Sequence, residues 1–176
     1  MKFKFQDIIN ELPTEMFDKL MELKTMRERP DFHPEESVFE HIKIVTNRAI
    51  KLGDPDLIMA GIFHDIHKLD TMEINKKTGH PTSPDHDKWA LKTIQKNSDV
   101  QDFIKSFDAS CDNVAGICGQ HMRIGVFHEM RKKKQEEMES FPFFLKLQIF
   151  HKFDDMLIPE ERIDNFINFI KEGKNR

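Results

Sequence analysis

The chain contains no tyrosine and has only one tryptophan, two cysteines and seven glycines among its 176 residues. Cys111 and Cys118 form no CxxC pair, which argues against a structural zinc site built on thiolates. No apolar run approaches the roughly 20 residues needed to span a bilayer, and the N-terminus has no apolar signal-peptide core. We therefore predict a cytoplasmic protein with two reduced thiols and no membrane partner.

The sequence also lacks an excess of positive charge, since its formal net charge is −4 with histidine neutral. Its one basic cluster, residues 131–134, is followed at once by Glu136, Glu137 and Glu139, which favours a solvated helix face. Binding along a nucleic-acid backbone usually requires a clustered basic surface. A nucleic-acid partner therefore stays open but is not favoured, and the sequence does not decide whether the chain forms a homo-oligomer.

What the chain does contain is a series of apolar stripes at helical spacing, separated by proline and glycine. Ser37 is suited to cap one helix, Gly53 to end it and Asp54-Pro55 to begin the next. No segment alternates convincingly with a period of two, and residues 69–84 have the composition of a long polar loop. We predict an all-α fold without a sheet, in which residues 1–176 form a single domain.

Ionisable side chains occupy the apolar faces of several predicted helices. They are His41, the pair His64-Asp65, His121 and Asp154. Because unpaired burial of such groups is costly, a shared divalent cation is the simplest common explanation. Mixed histidine and carboxylate ligation is typical of catalytic metal sites, which keep one position for water. Helical register favours Asp154 as the ligand, with Asp155 as the alternative.

Other conspicuous side chains receive simpler interpretations. Trp89 is predicted to lie in the core rather than to stack on a base. His80 is predicted to lie on the surface of the polar loop. His33, which lies with Glu35 and Glu36 shortly before His41, is a candidate for orienting a ligand from outside the site.

With these residues in place, the sequence resembles the HD-domain metal-dependent phosphohydrolases, most closely the HD domain of tRNA nucleotidyltransferases. The ordered set His41, His64-Asp65 and Asp154 is similar to the H…HD…D signature of that family. The resemblance extends over residues 31–157 and includes four stretches, 33–41, 61–68, 79–91 with His86, and 119–121. It implies that the single all-α domain is an HD-domain helical bundle.

The resemblance also implies roles for individual residues. His41, His64, Asp65 and Asp154 match the metal ligands of the family, whereas His86 and His121 match positions that bind a second metal or face substrate phosphate. Lys68 matches a lysine that is often directed at phosphate. The chain departs from the pattern at His67, where glycine is usual, and at Met122, where members with two metals often carry a second histidine. His67 would crowd the site, add a ligand or donate a proton.

The ligand set and the resemblance together predict a hydrolase that cleaves a phosphomonoester or phosphodiester bond in a nucleotide-type substrate with metal-activated water. One or two divalent ions are implied, with Mn, Co, Ni, Mg, Fe and Zn as candidates. Asp65 or a loop acid would accept the proton of the water, and Lys68 and His121 would stabilise charge on the phosphate. The alternative is a non-catalytic module that binds a nucleotide or RNA, because the HD domain of tRNA nucleotidyltransferases is an appendage to their polymerase part.

Overall fold

Helices account for 68% of the protein in a computed structural model, which describes residues 4–27 and 34–174. Within those residues the α-helices are α1 Phe5–Asn10, α2 Thr14–Glu22, α3 Val38–Leu52, α4 Pro55–Phe63, α5 His86–Lys96, α6 Ser98–Ser106, α7 Cys111–Ile124, α8 Lys132–Glu139, α9 Phe144–Asp154 and α10 Glu160–Lys174. Two short strands, β1 Glu73–Ile74 and β2 Pro81–Thr82, form one antiparallel pair. The predicted all-α class is confirmed, and the assignment to the HD-domain bundle stays a prediction.

The predicted boundary between α3 and α4 is confirmed in its physical details. Ser37 Oγ accepts a hydrogen bond from Glu40 N at 3.3 Å and caps α3, while Asp54 Oδ1 accepts from Leu57 N at 3.2 Å and caps α4. Gly53 ends α3 with a φ of 81°, a left-handed conformation that glycine adopts without steric cost. Because only two residues join α3 to α4, the two helices pack side by side as a helical hairpin.

Helix α4 lies at the centre of the molecule and contacts α3, α7 and α9. Every residue from Asp56 to Phe63 is buried, as its nearly continuous apolar sequence predicts. Gly61 approaches α3 so closely that a Cβ there would lie 2.8 Å from Thr46 Oγ1 and 2.9 Å from Thr46 Cα. The absence of a side chain at Gly61 therefore sets the α3–α4 separation, which in turn brings His41 and His64 to the same end of the hairpin.

The segment 69–84 differs from the polar loop that we predicted, because it contains the β1–β2 hairpin. The start of α5 is held by a bond to the hairpin's flank rather than by a side-chain cap. Ser83 Oγ donates to the carbonyl of Lys68 at 2.8 Å, and Asp85, at a φ of 60°, makes no side-chain cap bond to α5. Ser83 thus ties the hairpin to the segment that follows the His64-Asp65 pair.

The prediction that residues 131–134 form a solvated face is confirmed. Residues 131–134 are exposed, in agreement with a solvated basic face rather than a buried one. None of the helices in the described ranges combines the length and apolar character required to span a membrane.

Candidate metal centre

Six ionisable side chains from five parts of the fold converge at one end of the bundle. They are His41 of α3, His64 and Asp65 directly after α4, His86 at the start of α5, His121 of α7 and Asp154 at the end of α9. The four histidines and Asp65 are buried, and the Asp154 side chain retains 19% exposure. The structure therefore brings together all six residues that the sequence and its resemblance suggest as ligands.

Three of the six form a first group at the end of the α3–α4 hairpin, namely His41, His64 and Asp154. His41 Nε2 lies 3.2 Å from His64 Nε2 and 2.9 Å from Asp154 Oδ1, and His64 Nε2 lies 3.3 Å from the same oxygen. The ligand atoms of this group are all within 4.8 Å of one another, so the group could hold a metal ion.

A second group, consisting of Asp65, His86 and His121, lies beside the first. His86 Nε2 is 3.2 Å from His121 Nε2, and Asp65 Oδ1 is 3.1 Å and 3.6 Å from these two nitrogen atoms. These three residues meet the same criterion for holding a metal ion.

Asp65 connects the two groups, because its two oxygen atoms face different sides. Oδ2 lies 3.5 Å from His41 Nε2 and 3.2 Å from His64 Nε2, whereas Oδ1 faces His86 and His121. Within residues 4–27 and 34–174, the buried Oδ1 atom accepts no well-aligned hydrogen bond. A buried carboxylate oxygen in this condition fits a position beside a cation.

The partner of Nδ1 in each histidine determines whether Nε2, the nitrogen that faces the centre of the cluster, carries a proton or a lone pair. The Nδ1 atoms of three histidines bond main-chain carbonyls: His64 to Gly61 at 3.0 Å, His86 to Ser83 at 2.6 Å and His121 to Cys118 at 2.7 Å. Nδ1 of His41 lies 2.8 Å from the buried Glu35 carboxylate. Because these oxygen atoms only accept, each Nδ1 carries a proton, and each neutral imidazole directs an Nε2 lone pair inwards.

Two such lone pairs at 3.2 Å repel one another unless a cation lies near both of them. In the protein without metal, protons supply part of that charge. Burial by itself would lower the pKa of His64, but the carboxylates of Asp65 and Asp154 raise it from 6.5 to about 10. Burial likewise opposes charge on Asp154, yet hydrogen bonds from His41 and His64 hold the pKa of Asp154 well below its usual range.

The same balance applies to the second group. Burial would raise the pKa of Asp65, but the positive charges of His64 and Lys68 bring it well below its usual range. Burial would lower the pKa of His86, but its contact with Asp65 raises it above the ordinary value. The cluster as a whole therefore favours positive charge at its centre, as a metal-binding site requires.

A solvent-connected cavity of about 520 Å³ opens onto the cluster. Its floor includes His41, Asp65, His86, His121 and Asp154, and its walls come from the β2–α5 segment. Lys68, predicted to face phosphate, also lines this cavity, and its Nζ lies 2.9 Å from Asp65 Oδ2. The three residues predicted to have catalytic roles, Asp65, Lys68 and His121, thus share one accessible space.

Asp154 and Asp155 differ in the direction that their side chains take. Asp154 points into the cluster, whereas Asp155 Oδ1 accepts a hydrogen bond from Leu157 N at 2.9 Å in the turn after α9. Arg48 of α3 is buried beside this turn and donates to the carbonyls of Phe153 and Asp155. The helical register that favoured Asp154 is therefore correct.

Three other expectations have different outcomes. His67 does not point into the cluster, because its Nε2 bonds Thr93 Oγ1 at 2.8 Å and its Nδ1 bonds Asp70. The prediction that Trp89 lies in the core is wrong, since Trp89 is 51% exposed beside His67. His33, the residue predicted to orient a ligand, lies outside the described residues, while its neighbour Glu35 contacts Nδ1 of His41.

Two residues near the site went unnoticed in the sequence. Arg48 follows His41 by seven positions, which places it on the same helix face, and this spacing was an available signal. Asp87, 9% exposed, lines the cavity next to His86. Its position after a candidate ligand gave no separate signal, because an acidic residue in the first turn of a helix is common.

The site thus consists of two adjacent groups of buried histidine and aspartate side chains that could each hold a metal ion. Comparisons of the chain with models of protein families, with curated proteins and with solved structures each found no match.

Proposed function

We propose that this protein is a phosphohydrolase that uses two divalent cations, one in each histidine–aspartate group, to cleave a phosphate ester of the nucleotide type. The observation that carries the proposal is the pairing of inward-facing imidazole nitrogens, His41 with His64 and His86 with His121, each pair 3.2 Å apart. Asp65 would contact both cations, since one carboxylate oxygen faces each group. The resemblance to HD-domain phosphohydrolases is in accord with this reading.

The donor atoms restrict the choice of metal. Each group offers two imidazole nitrogens together with carboxylate oxygen, which suits Mn, Fe, Co, Ni or Zn better than the oxygen-preferring Mg. Bound cations of this kind would supply an activated water and polarise a phosphoryl oxygen.

The protein's own residues complete the chemistry. Lys68 is a cation on the cavity wall and would neutralise charge that develops on the phosphoryl oxygens. His121 would steady the same charge from the floor. Of the carboxylates that line the cavity, Asp65 and Asp85 offer acceptors for the proton that the attacking water loses.

Turnover of a generic ester after metal exchange tests this function. The protein is stripped with EDTA, reloaded with Mn²⁺, Co²⁺, Ni²⁺ or Mg²⁺, and assayed with p-nitrophenyl phosphate and bis-p-nitrophenyl phosphate. We expect metal-dependent hydrolysis of at least one ester. Asp65→Asn should lower kcat/KM by more than about a hundredfold, because losing even the outer partners of metal ligands costs up to about that much.

A matched control separates the site from general charge effects. Asp102→Asn makes the same change on α6, where Asp102 is 79% exposed and remote from the cavity lining. Both variants should keep their helicity by circular dichroism. Stoichiometric metal without turnover of either ester or of a nucleotide panel would refute hydrolysis and favour the non-catalytic binding module.

A further inference from the structure

Asp87 is a buried acid inside the candidate active-site cavity. It is the second residue of α5, directly after His86, and only 9% of its surface is exposed. It lines the cavity together with Lys68, Asp85 and Met122. Throughout residues 4–27 and 34–174, no hydrogen bond or ion pair is formed by its carboxylate.

In the ligand-free protein the oxygen atoms of this carboxylate are not fully enclosed and reach the solvent of the cavity. Removing an ionised group from water without a compensating partner is costly, and buried charges in proteins are almost always paired. The side chain of Asp85, two residues earlier, is different, because it is largely exposed and pairs with Lys88. A ligand that displaces solvent from the cavity must therefore offer a hydrogen-bond donor to Asp87.

The cavity walls limit the charge of that occupant. Of the described residues that line it, Lys68 is the only lysine or arginine, and it already contacts Asp65. Sites for triphosphates hold the additional phosphates with several cationic or main-chain donors. A second or third phosphate here would approach Asp85 and Asp87 instead, and like charges brought together disfavour a ligand.

The walls also lack a stacking surface for a nucleobase. Apart from histidine, no aromatic side chain in the described part of the chain lines the cavity, and exposed Trp89 lies next to His67 outside it. Recognition of the part of the substrate beyond the phosphate must then depend on hydrogen bonds. Asp87, as an acceptor, selects for donors.

We propose that the substrate carries a single phosphate group on an uncharged alcohol with hydrogen-bond donors, such as sugar hydroxyls, and that Asp87 binds those donors. This inference rests on the proposed function, and Asp87 is its specificity-determining residue. Because Asp87 is assigned to sugar hydroxyls, which nucleosides with different bases share, the identity of a nucleobase should matter little.

A substrate panel tests the inference in wild-type protein loaded with Mn²⁺. The panel contains p-nitrophenyl phosphate, ribose 5-phosphate, two nucleoside 5′-monophosphates with different bases, and one matching triphosphate. We expect both monophosphates to be hydrolysed with kcat/KM values within about threefold of one another and at least about tenfold above the triphosphate, the difference expected for one hydrogen bond to a charged group.

Asp87→Asn then identifies the residue responsible. It should reduce kcat/KM about tenfold for ribose 5-phosphate and the monophosphates, chiefly through KM, while p-nitrophenyl phosphate stays within about twofold. Asp102→Asn is the control and should alter none of these values. The comparison among substrates in the wild-type protein does not depend on the variant folding.

Two results would overturn the assignment while leaving hydrolysis intact. One is a preference for the triphosphate over the monophosphates. The other is an equal loss in Asp87→Asn for every ester, including p-nitrophenyl phosphate, which would identify Asp87 as part of the reaction rather than of substrate selection. If no ester is hydrolysed with any metal, the proposed function itself fails, and the substrate assignment fails with it.

Discussion

Arg48 Nη1 donates a hydrogen bond of 2.6 Å to the carbonyl of Phe153, the residue immediately before Asp154. The same nitrogen is 3.2 Å from the carbonyl of Asp155, the residue immediately after it. Arg48 also pairs with Glu160 at the start of α10. The helix that contributes His41 therefore holds the main chain on both sides of Asp154 and provides a donor for the Phe153 carbonyl at the end of α9.

Replacing Arg48 should weaken the first group more than the second. We expect Arg48→Met to lower the affinity of the first group for its metal by about tenfold, because Asp154 loses the bonds that fix its backbone. Competition with a chelator, followed by metal analysis, measures this effect. Lys51→Met is the matched control, since Lys51 pairs with Glu160 and Asp164 but bonds none of these carbonyls. A loss of stability in Arg48→Met with unchanged metal affinity would limit Arg48 to a structural role.

The two neighbouring aspartates at the end of α9 should respond differently to the same change. Asp154→Asn removes the charge that faces His41 and His64, and we expect at least a tenfold loss of metal affinity. Asp155→Asn preserves an oxygen that can still accept from Leu157 N, so its metal content should equal that of the wild type. Inductively coupled plasma mass spectrometry of both variants measures this, and similar losses would contradict the geometry.

Above about pH 6.5, the metal-free protein should lose stability as the pH rises, whereas the stabilisation that metal provides should grow. In the metal-free protein the pKa of His64 is raised from 6.5 to about 10, so its stabilising contribution is complete below about 6.5 and is lost as the pH rises towards 10. The pKa values of Asp65 and Asp154 are lowered, so their contribution is present above about 4 and is lost as the pH falls. Metal binding requires the protons to leave and is favoured by higher pH.

The measurable consequence is a difference between two melting temperatures. We expect the Tm of metal-loaded protein minus that of EDTA-treated protein to increase from about pH 6 to about pH 9. Differential scanning calorimetry at each pH provides both values. A difference that stays constant or shrinks would mean that the histidines do not exchange protons for metal.

The close crossing of α3 and α4 should tolerate no side chain at residue 61. Gly61→Ala introduces a Cβ that lies within 3 Å of both the side chain and the Cα atom of Thr46. Because main chain cannot move aside as a side chain can, we expect a loss of about 1–3 kcal/mol in the free energy of unfolding. Metal affinity should fall as well, because His41 and His64 belong to the two helices that must separate. Gly173→Ala on α10, where a Cβ meets nothing within 4 Å, should lower neither quantity in urea titrations and metal competition.

The sequence predicted the fold best where helix-capping residues and the periodicity of apolar residues indicate the same helix. Ser37, Gly53 and Asp54 act at the chain positions where their chemistry is useful, and helical periodicity alone placed His41 and Asp154 on inward faces. Spacing could not reveal which helices would be neighbours. His86 entered the prediction only through a family resemblance, because a histidine that begins a helix after a loop has no periodic context.

The predictions that differ from the structure do so for specific physical reasons. On α5 the buried face consists of His86, Asp87, Ala90 and Ile94, which turns Trp89 outwards despite its size. The orientation of His67 depends on Thr93, 26 residues away, and no local pattern indicates that pairing. The β1–β2 hairpin escaped prediction because each strand contains only two residues, too few for an alternating pattern to appear.

Three of the four imidazoles are anchored by a carbonyl three residues earlier in the chain, His64 by Gly61, His86 by Ser83 and His121 by Cys118. A backbone tether cannot be deleted by a point mutation, so those rings keep their aim while the side chains around them change. His41 alone relies on another side chain, Glu35. The second group therefore keeps the orientation of its rings when neighbouring side chains are replaced. The first group depends, through His41, on Glu35, and a mutation of Glu35 would disturb it although Glu35 is not a candidate ligand.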